Sequence, residues 1–178
     1  GNDVEVASLI KEMNAGKIDA LITYSVNPSY TLQNAEAYNS GLAKVGLTIA
    51  TSLYNDESAA KMMYACPDNH NLESWGDANP KYGIYSLMQP TISPLFNTRQ
   101  FQDSLLSWIG KSDYHAYLKN YWSRKGIDWN QSLHDGYFSL DEKLIKVKRF
   151  IDQSVSVKHQ KSDALELEIY ETVALGDG

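Results

Sequence analysis

The chain has 178 residues, is 43% hydrophobic and carries a formal net charge of −6. That length and apolar content suit one ordinary globular domain with a small appendage. The acidic balance excludes a nucleic-acid footprint, which needs clustered Lys and Arg, so no nucleic-acid partner is expected.

The first segment, VEVASLIKEMNAG, puts Val6, Leu9, Ile10 and Met13 on one helical face and stops at Asn14–Gly16. Ile18 to Tyr24 is short, apolar and β-branched, and reads as a buried strand ending at Asn27–Pro28. Asn34 caps a second helix with Ala35, Tyr38, Leu42 and Val45 on one face, closed by Gly46. LTIATSLY follows as another buried strand, ESAAKMM as a short helical patch, and YAC as a third strand cut off by Pro67. Strand, helix, strand, helix, strand predicts a parallel sheet with helical crossovers, its strands near residues 18–25, 47–52 and 63–66.

Tyr64 to Gly83 reads as a loop. GIYSLMQPTISP beyond it reads as an extended edge segment, because of Pro90 and Pro94. Asn97 with Gln100 resembles a capping box for a helix whose apolar face is Phe101, Leu105, Trp108 and Ile109. A further helix starts near Asp113, with Tyr114, Tyr117, Leu118, Tyr121 and Trp122 on its core face and Gly126 as its stop. The basic run at Lys143–Arg149 reads as one solvated face. ALELEIYETVAL alternates like a half-buried strand, with Leu165, Leu167 and Ile169 facing one way. The expected division is an α/β domain over residues 1–138. Residues 139–178 are then a linker and the first strand of a following domain cut short. The leading Gly1 and the strand ending at GDG both read as the ends of an excised piece of a longer chain.

The loop YACPDNHNLESWGDANPKYG concentrates the chemistry. Cys66 is the sole cysteine, so it forms no internal disulfide and assembles no four-thiolate iron–sulfur site. It is expected to be a buried packing residue, with His70 beyond a proline turn and not paired to it. His70, Glu73, Asp68 and Asp77 lack a second histidine at zinc-site spacing, so polar loop residues are expected, not metal ligands. The first strand runs into SVNPSY, neither a glycine-rich dinucleotide turn nor a P-loop. Asn27 either meets a ligand at the carboxyl end of its strand or shapes the turn; both readings stand. Trp75 reads as an anchor folded back on the domain or covered by other polypeptide. No apolar run approaches the roughly 18–20 residues that span a bilayer, so no direct membrane span is expected.

The order of features resembles a known family. A strand leads to Asn27–Pro28, then come a helix, a strand, the acidic Glu57–Ser58–Ala59 step, a strand ending at Pro67, and a loop with Leu72–Glu73, Trp75 and Gly76. This resembles the third domain of molybdopterin oxidoreductases. IDALITYSVNPSY, PDNHNLESWGDA, YSLMQPTISPLFNTRQFQDSLL, WNQSLHDGYF and LELEIYETVALGDG look like one branch of it, the large iron–sulfur subunit of alternative complex III. The resemblance implies a three-layer, Rossmann-like partial domain with a short parallel sheet. It further implies a quinol:electron-acceptor oxidoreductase complex, iron–sulfur clusters elsewhere in the parent chain, and a place on the periplasmic side of a bacterial inner membrane. The remainder of the parent chain and the other subunits of that membrane complex are the implied partners.

Departures from the family pattern shape the functional expectation. Where the family continues into Asn, Glu-Gly-Arg and Gln along its cofactor, this chain has SWGDANPKYGIYSLMQP, and only Gln89 echoes it. The expected segment is therefore a cofactor-free scaffold or docking domain, with no catalytic residue and no metal. Its vestigial cleft would hold Asn27, Glu57, His70 and Glu73. The alternatives are a cofactor-binding segment of a genuine molybdopterin oxidoreductase and a free-standing small-ligand-binding domain of flavodoxin-like shape.

Overall fold

A computed structural model describes residues 2–141 and Leu165. Helix α1 spans Asp3–Asn14. The Asn2 side chain accepts the Glu5 backbone N–H, and Asp3, Glu5 and Lys11 sit where the helix dipole favours them. Strand β1 is Ala20–Tyr24, α2 is the single turn Pro28–Thr31, and α3 is Ala35–Leu42. Asn34 caps α3 through the Ala37 N–H, as its position in the sequence predicts. Strand β2 is Leu47–Ser52 and β3 is Tyr64–Pro67. Between them the helical patch shrinks to a 3₁₀ turn at Ala59–Lys61.

The three strands are parallel in the order β1-β2-β3, with Ile22 beside Ile49 and Ile49 beside Tyr64. The α/β class and the short parallel sheet are thus as the apolar pattern predicts. Helices α1 and α3 pack together over one sheet face, where Met13, Tyr38, Leu42, Val45, Ala50, Ala59 and Met62 form the core. The Asn14 side chain ties the two helices, donating to the carbonyls of Ile10 and Ala37. Tyr38 is buried, and its hydroxyl has no hydrogen-bond partner among the described residues. An unpaired buried hydroxyl costs desolvation, so Tyr38→Phe is expected to stabilise the chain by about 1 kcal/mol in denaturant titration.

Strand alternation turns Ile22, Leu47, Ile49 and Tyr64 to the opposite face. Ile22, Leu47 and Tyr64 are 45%, 39% and 57% exposed there. Parallel sheets are ordinarily covered on both faces, so this apolar face is unusual in being open. Among the described residues its upper end is roofed, where the Tyr24 ring stacks on Phe101 at 4.4 Å.

The second half departs further from expectation. Gly76–Lys81 is strand β4, not loop, and Ile84–Met88 is β5. With β6, Tyr137–Ser139, they form an antiparallel sheet in the order β4-β5-β6. So the expected edge segment contains the central strand. Pro90 and Pro94 fall beyond its end at Met88, and Pro80 sits on the edge strand within a register shift between Ala78 and Lys81. Helices α4 (Phe101–Trp108), α5 (Tyr114–Arg124) and α6 (Trp129–Asp135) complete the described residues.

The Asn97–Gln100 capping box does not form. Gln100 is the N-cap residue, but its side chain is buried against Trp75, and the Phe101 N–H goes to the Asp68 carboxylate instead. On α5 the core face is narrower than expected: Leu118 and Trp122 are buried, whereas Tyr117 and Tyr121 are exposed. They join Leu87, Trp129 and Phe138 in a second core, with Trp75, Tyr85 and Tyr114 against it. The basic run at 143–149 and the expected strand at 164–175 lie outside the described residues, Leu165 excepted. So does most of the expected second domain at 139–178.

Candidate functional site

Asn27 and Glu57 do meet. The Asn27 amide donates to Glu57 at 2.6 Å, and its oxygen accepts the Ser58 hydroxyl at 2.7 Å. Ser58 is fully buried and also accepts the Ser29 backbone N–H. The hydrogen bond from Asn27 is the main reason the Glu57 carboxyl lies below its ordinary range. Asn27 therefore shapes the turn after β1 and clamps it to the step after β2. Its oxygen and its amide nitrogen both have partners within the chain.

His70 and Glu73 form a separate pair. The 3₁₀ turn Asn71–Glu73 is closed by a capping box: His70 Nδ1 accepts the Leu72 N–H, and Glu73 accepts the His70 N–H. The other Glu73 oxygen accepts the Leu95 N–H. These backbone donors, Leu95 first, hold the Glu73 carboxyl below its ordinary range. The bonds of this pair run within its own turn and to Leu95, those of Asn27 and Glu57 to the turns after β1 and β2. Among the described residues no group of three His, Cys, Asp or Glu side chains is placed to hold a metal ion.

Cys66 is exposed, which corrects the expectation of a buried packing residue. It lies on β3, an edge strand of the parallel sheet, where every residue is exposed. Apolar composition marks a strand but does not tell its place in the sheet. Trp75 does fold back on the domain. Its ring stacks on His115 at 4.0 Å and leans on Trp129 at 5.9 Å.

Of several concavities among the described residues, one lies at the carboxyl ends of β1 and β2 against the second half of the domain, where open α/β sheets place ligands. It is a cleft of about 200 Å³, bordered by Tyr24, Asp68, Trp75, Asp77, Gln100 and Tyr114 among others. None of the four expected cleft residues lines it, but Asn27 lines a neighbouring hollow at the same strand ends, with Ser52 and Asp56. Asp68 is 7% exposed, and its Oδ1 accepts the backbone N–H of Asn69 at 2.8 Å and of Phe101 at 2.9 Å. Burial outweighs those two bonds and raises the Asp68 carboxyl above its usual range. Gln100 pairs with both backbone groups of Trp75, fixing the far wall. Asp77 accepts the Trp122 indole N–H at 2.8 Å. Burial first, then Asp77 nearby, pushes the Tyr114 hydroxyl up to about 12. The sequence holds a signal for Asp68: an acid directly after Pro67, at a strand's carboxyl end. Weighing that acid only as a metal ligand hides its role as the cap of α4.

A search of family models finds no match to the chain. Among curated proteins, the menaquinone reductase molybdopterin-binding-like subunit of Nitratidesulfovibrio vulgaris is 34% identical over 109 residues. That alignment covers 59% of this chain, and the chain spans 16% of the relative's length. The chain is thus similar to a segment of that molybdopterin-binding-like subunit. Its fold is shared with acetylene hydratase from Pelobacter acetylenicus, at a TM-score of 0.62 and 17% identity, over 75% of this chain and 20% of that one.

This cleft is a poor seat for a phosphate. The residues lining it include two carboxylates and no Lys, Arg or His, so a phosphate entering there meets repulsion and no counter-charge. The turn after β1 has no glycine, and Ser25 takes φ +49° at the cleft's edge.

Asp68→Asn tests the electrostatics of the cleft. The variant keeps the Oδ1 acceptor for Asn69 and Phe101 while removing a buried charge. In the unfolded chain Asp68 titrates near 3.8, and in the fold at a higher value. Its penalty is therefore absent below 3.8, grows as pH rises through the raised folded value, and is complete above it. The variant is expected to be at least as stable as the parent at about pH 7, with a smaller advantage at about pH 3.5. A loss of stability that grows with pH in paired denaturant titrations contradicts this.

Proposed function

We propose that this segment is a cofactor-free scaffold that docks within a quinol-linked electron-transfer complex, of the kind alternative complex III exemplifies. The observation carrying the reading is the open apolar face of the parallel sheet, with Ile22, Leu47 and Tyr64 exposed in adjacent rows. A parallel sheet left bare on one face has lost, or awaits, the layer that covers it. The cleft's lack of cations supports the absence of a phosphorylated cofactor. The curated relative is named as a subunit of a menaquinone reductase, and this supports membership of a multi-subunit assembly. In this reading the parent chain carries iron–sulfur clusters elsewhere and works on the periplasmic side of a bacterial inner membrane. Among the described residues no helix is long and apolar enough to cross one.

Ile22→Lys with Tyr64→Lys tests the docking face. Both side chains are already half exposed, so the fold should tolerate the charges. Assembly of the parent chain with its complex should fail, because two desolvated, unpaired ammonium groups destabilise an interface by several kcal/mol. Unchanged co-purification of the variant with the complex, at unchanged fold stability, contradicts the proposal.

A further inference from the structure

We infer that the cleft of about 200 Å³ is a receptor for a guanidinium group, carried either by a small solute or by an arginine side chain of a neighbouring subunit. The arginine source rests on the docking reading above; the solute source does not. Three observations lead there. First, the lining holds two carboxylates, Asp68 and Asp77, with no cationic side chain among its residues. Second, Asp68 is more than nine-tenths buried and borders the cleft. Its two hydrogen bonds both fall on Oδ1, and Oδ2 accepts none among the described residues. Oδ2 is not shut off from solvent, so it is open to a ligand that brings both a donor and positive charge. Third, Tyr24, Trp75 and Tyr114 border the same space. Aromatic walls favour a planar, weakly hydrated cation with several donors over a compact, strongly hydrated ammonium. Phosphates and carboxylates are repelled, and the described residues offer no set of three ligands for a metal ion.

The test uses the full 178-residue chain. N-ethylguanidinium, a blocked Ala-Arg-Ala peptide and the neutral isostere N-ethylurea are titrated at about pH 8, well above the ordinary carboxylate range, while the backbone amides of Asn69 and Phe101 are followed by NMR. Those amides donate to Asp68 and report on its carboxylate. At least one cation is expected to shift them saturably. Its affinity should fall about tenfold in Asp68→Asn, the loss of one charge-assisted hydrogen bond. Asp77→Asn, which retains an acceptor for Trp122, should also weaken binding. Saturation by N-ethylguanidinium alone assigns the site to a small solute; saturation by the peptide assigns it to a side chain. The inference is overturned if neither cation binds, if the urea binds equally well, or if both variants bind as tightly as the parent. Such a failure leaves the docking reading standing, because the lysine variants probe the open sheet face and not the cleft.

Discussion

Trp122→Ala is expected to destabilise the chain by about 3–5 kcal/mol, the cost of emptying the centre of a core. The indole is 3% exposed in the middle of the second core. It meets Phe138 edge-on at 4.7 Å and tilts against Tyr85 at 4.9 Å. Those rings join α5 to the antiparallel sheet, so truncation leaves a cavity that the flanking strands β5 and β6 cannot close without moving. The change also strips Asp77 of its indole donor at the edge of the cleft. Trp122→Phe separates the two losses. It keeps much of the apolar volume while removing the N–H and part of the bicyclic ring, at about 1–3 kcal/mol. Denaturant titrations in which both variants cost under about 1 kcal/mol would show that this core does not hold the second half together.

Met13→Ala is the matching experiment on the first core, with an expected cost of about 2–5 kcal/mol. Met13 is completely buried at the contact of α1 with α3. Gly41 on α3 lets the helices approach closely; a Cβ there would lie 2.9 Å from the Met13 Cβ. Backbones held that near leave little freedom to collapse into the space a truncated Met13 vacates. The two cores share no residue, so the double variant should lose the sum of the single losses. A double-variant loss smaller by more than about 0.5 kcal/mol would reveal coupling between the cores that the packing does not show.

The parallel sheet is legible in the sequence because its signals are local and agree. Ile18–Tyr24 and Leu47–Ser52 are short runs rich in apolar and β-branched residues, and Asn34 marks a cap; the expected stop at Gly46 falls past the helix, which ends at Leu42 with Ala43 as its C-cap. The antiparallel sheet is not, because GDANPK has the composition of a turn and becomes a strand only through its ladder with β5. Helix α6 does carry a local signature: Asp128 caps it, and Gly136 closes it in the left-handed conformation. At the candidate site, the Asn27–Glu57 contact and the His70–Glu73 pair join residues that the sequence singles out. Their separation into two groups depends on which side of each strand end they leave from, and residue types do not carry that information. The exposure of Cys66 has the same origin, since strand order is a tertiary property.

The most direct test of a cofactor-free scaffold is the metal content of the native complex that contains this chain, measured per copy of the chain. Iron in whole-number stoichiometry together with no molybdenum is the predicted result, since the proposal puts the electron carriers elsewhere in the parent and the cleft offers phosphate no counter-charge. Molybdenum in equal stoichiometry with the chain would contradict it, and would make this segment part of a working cofactor site.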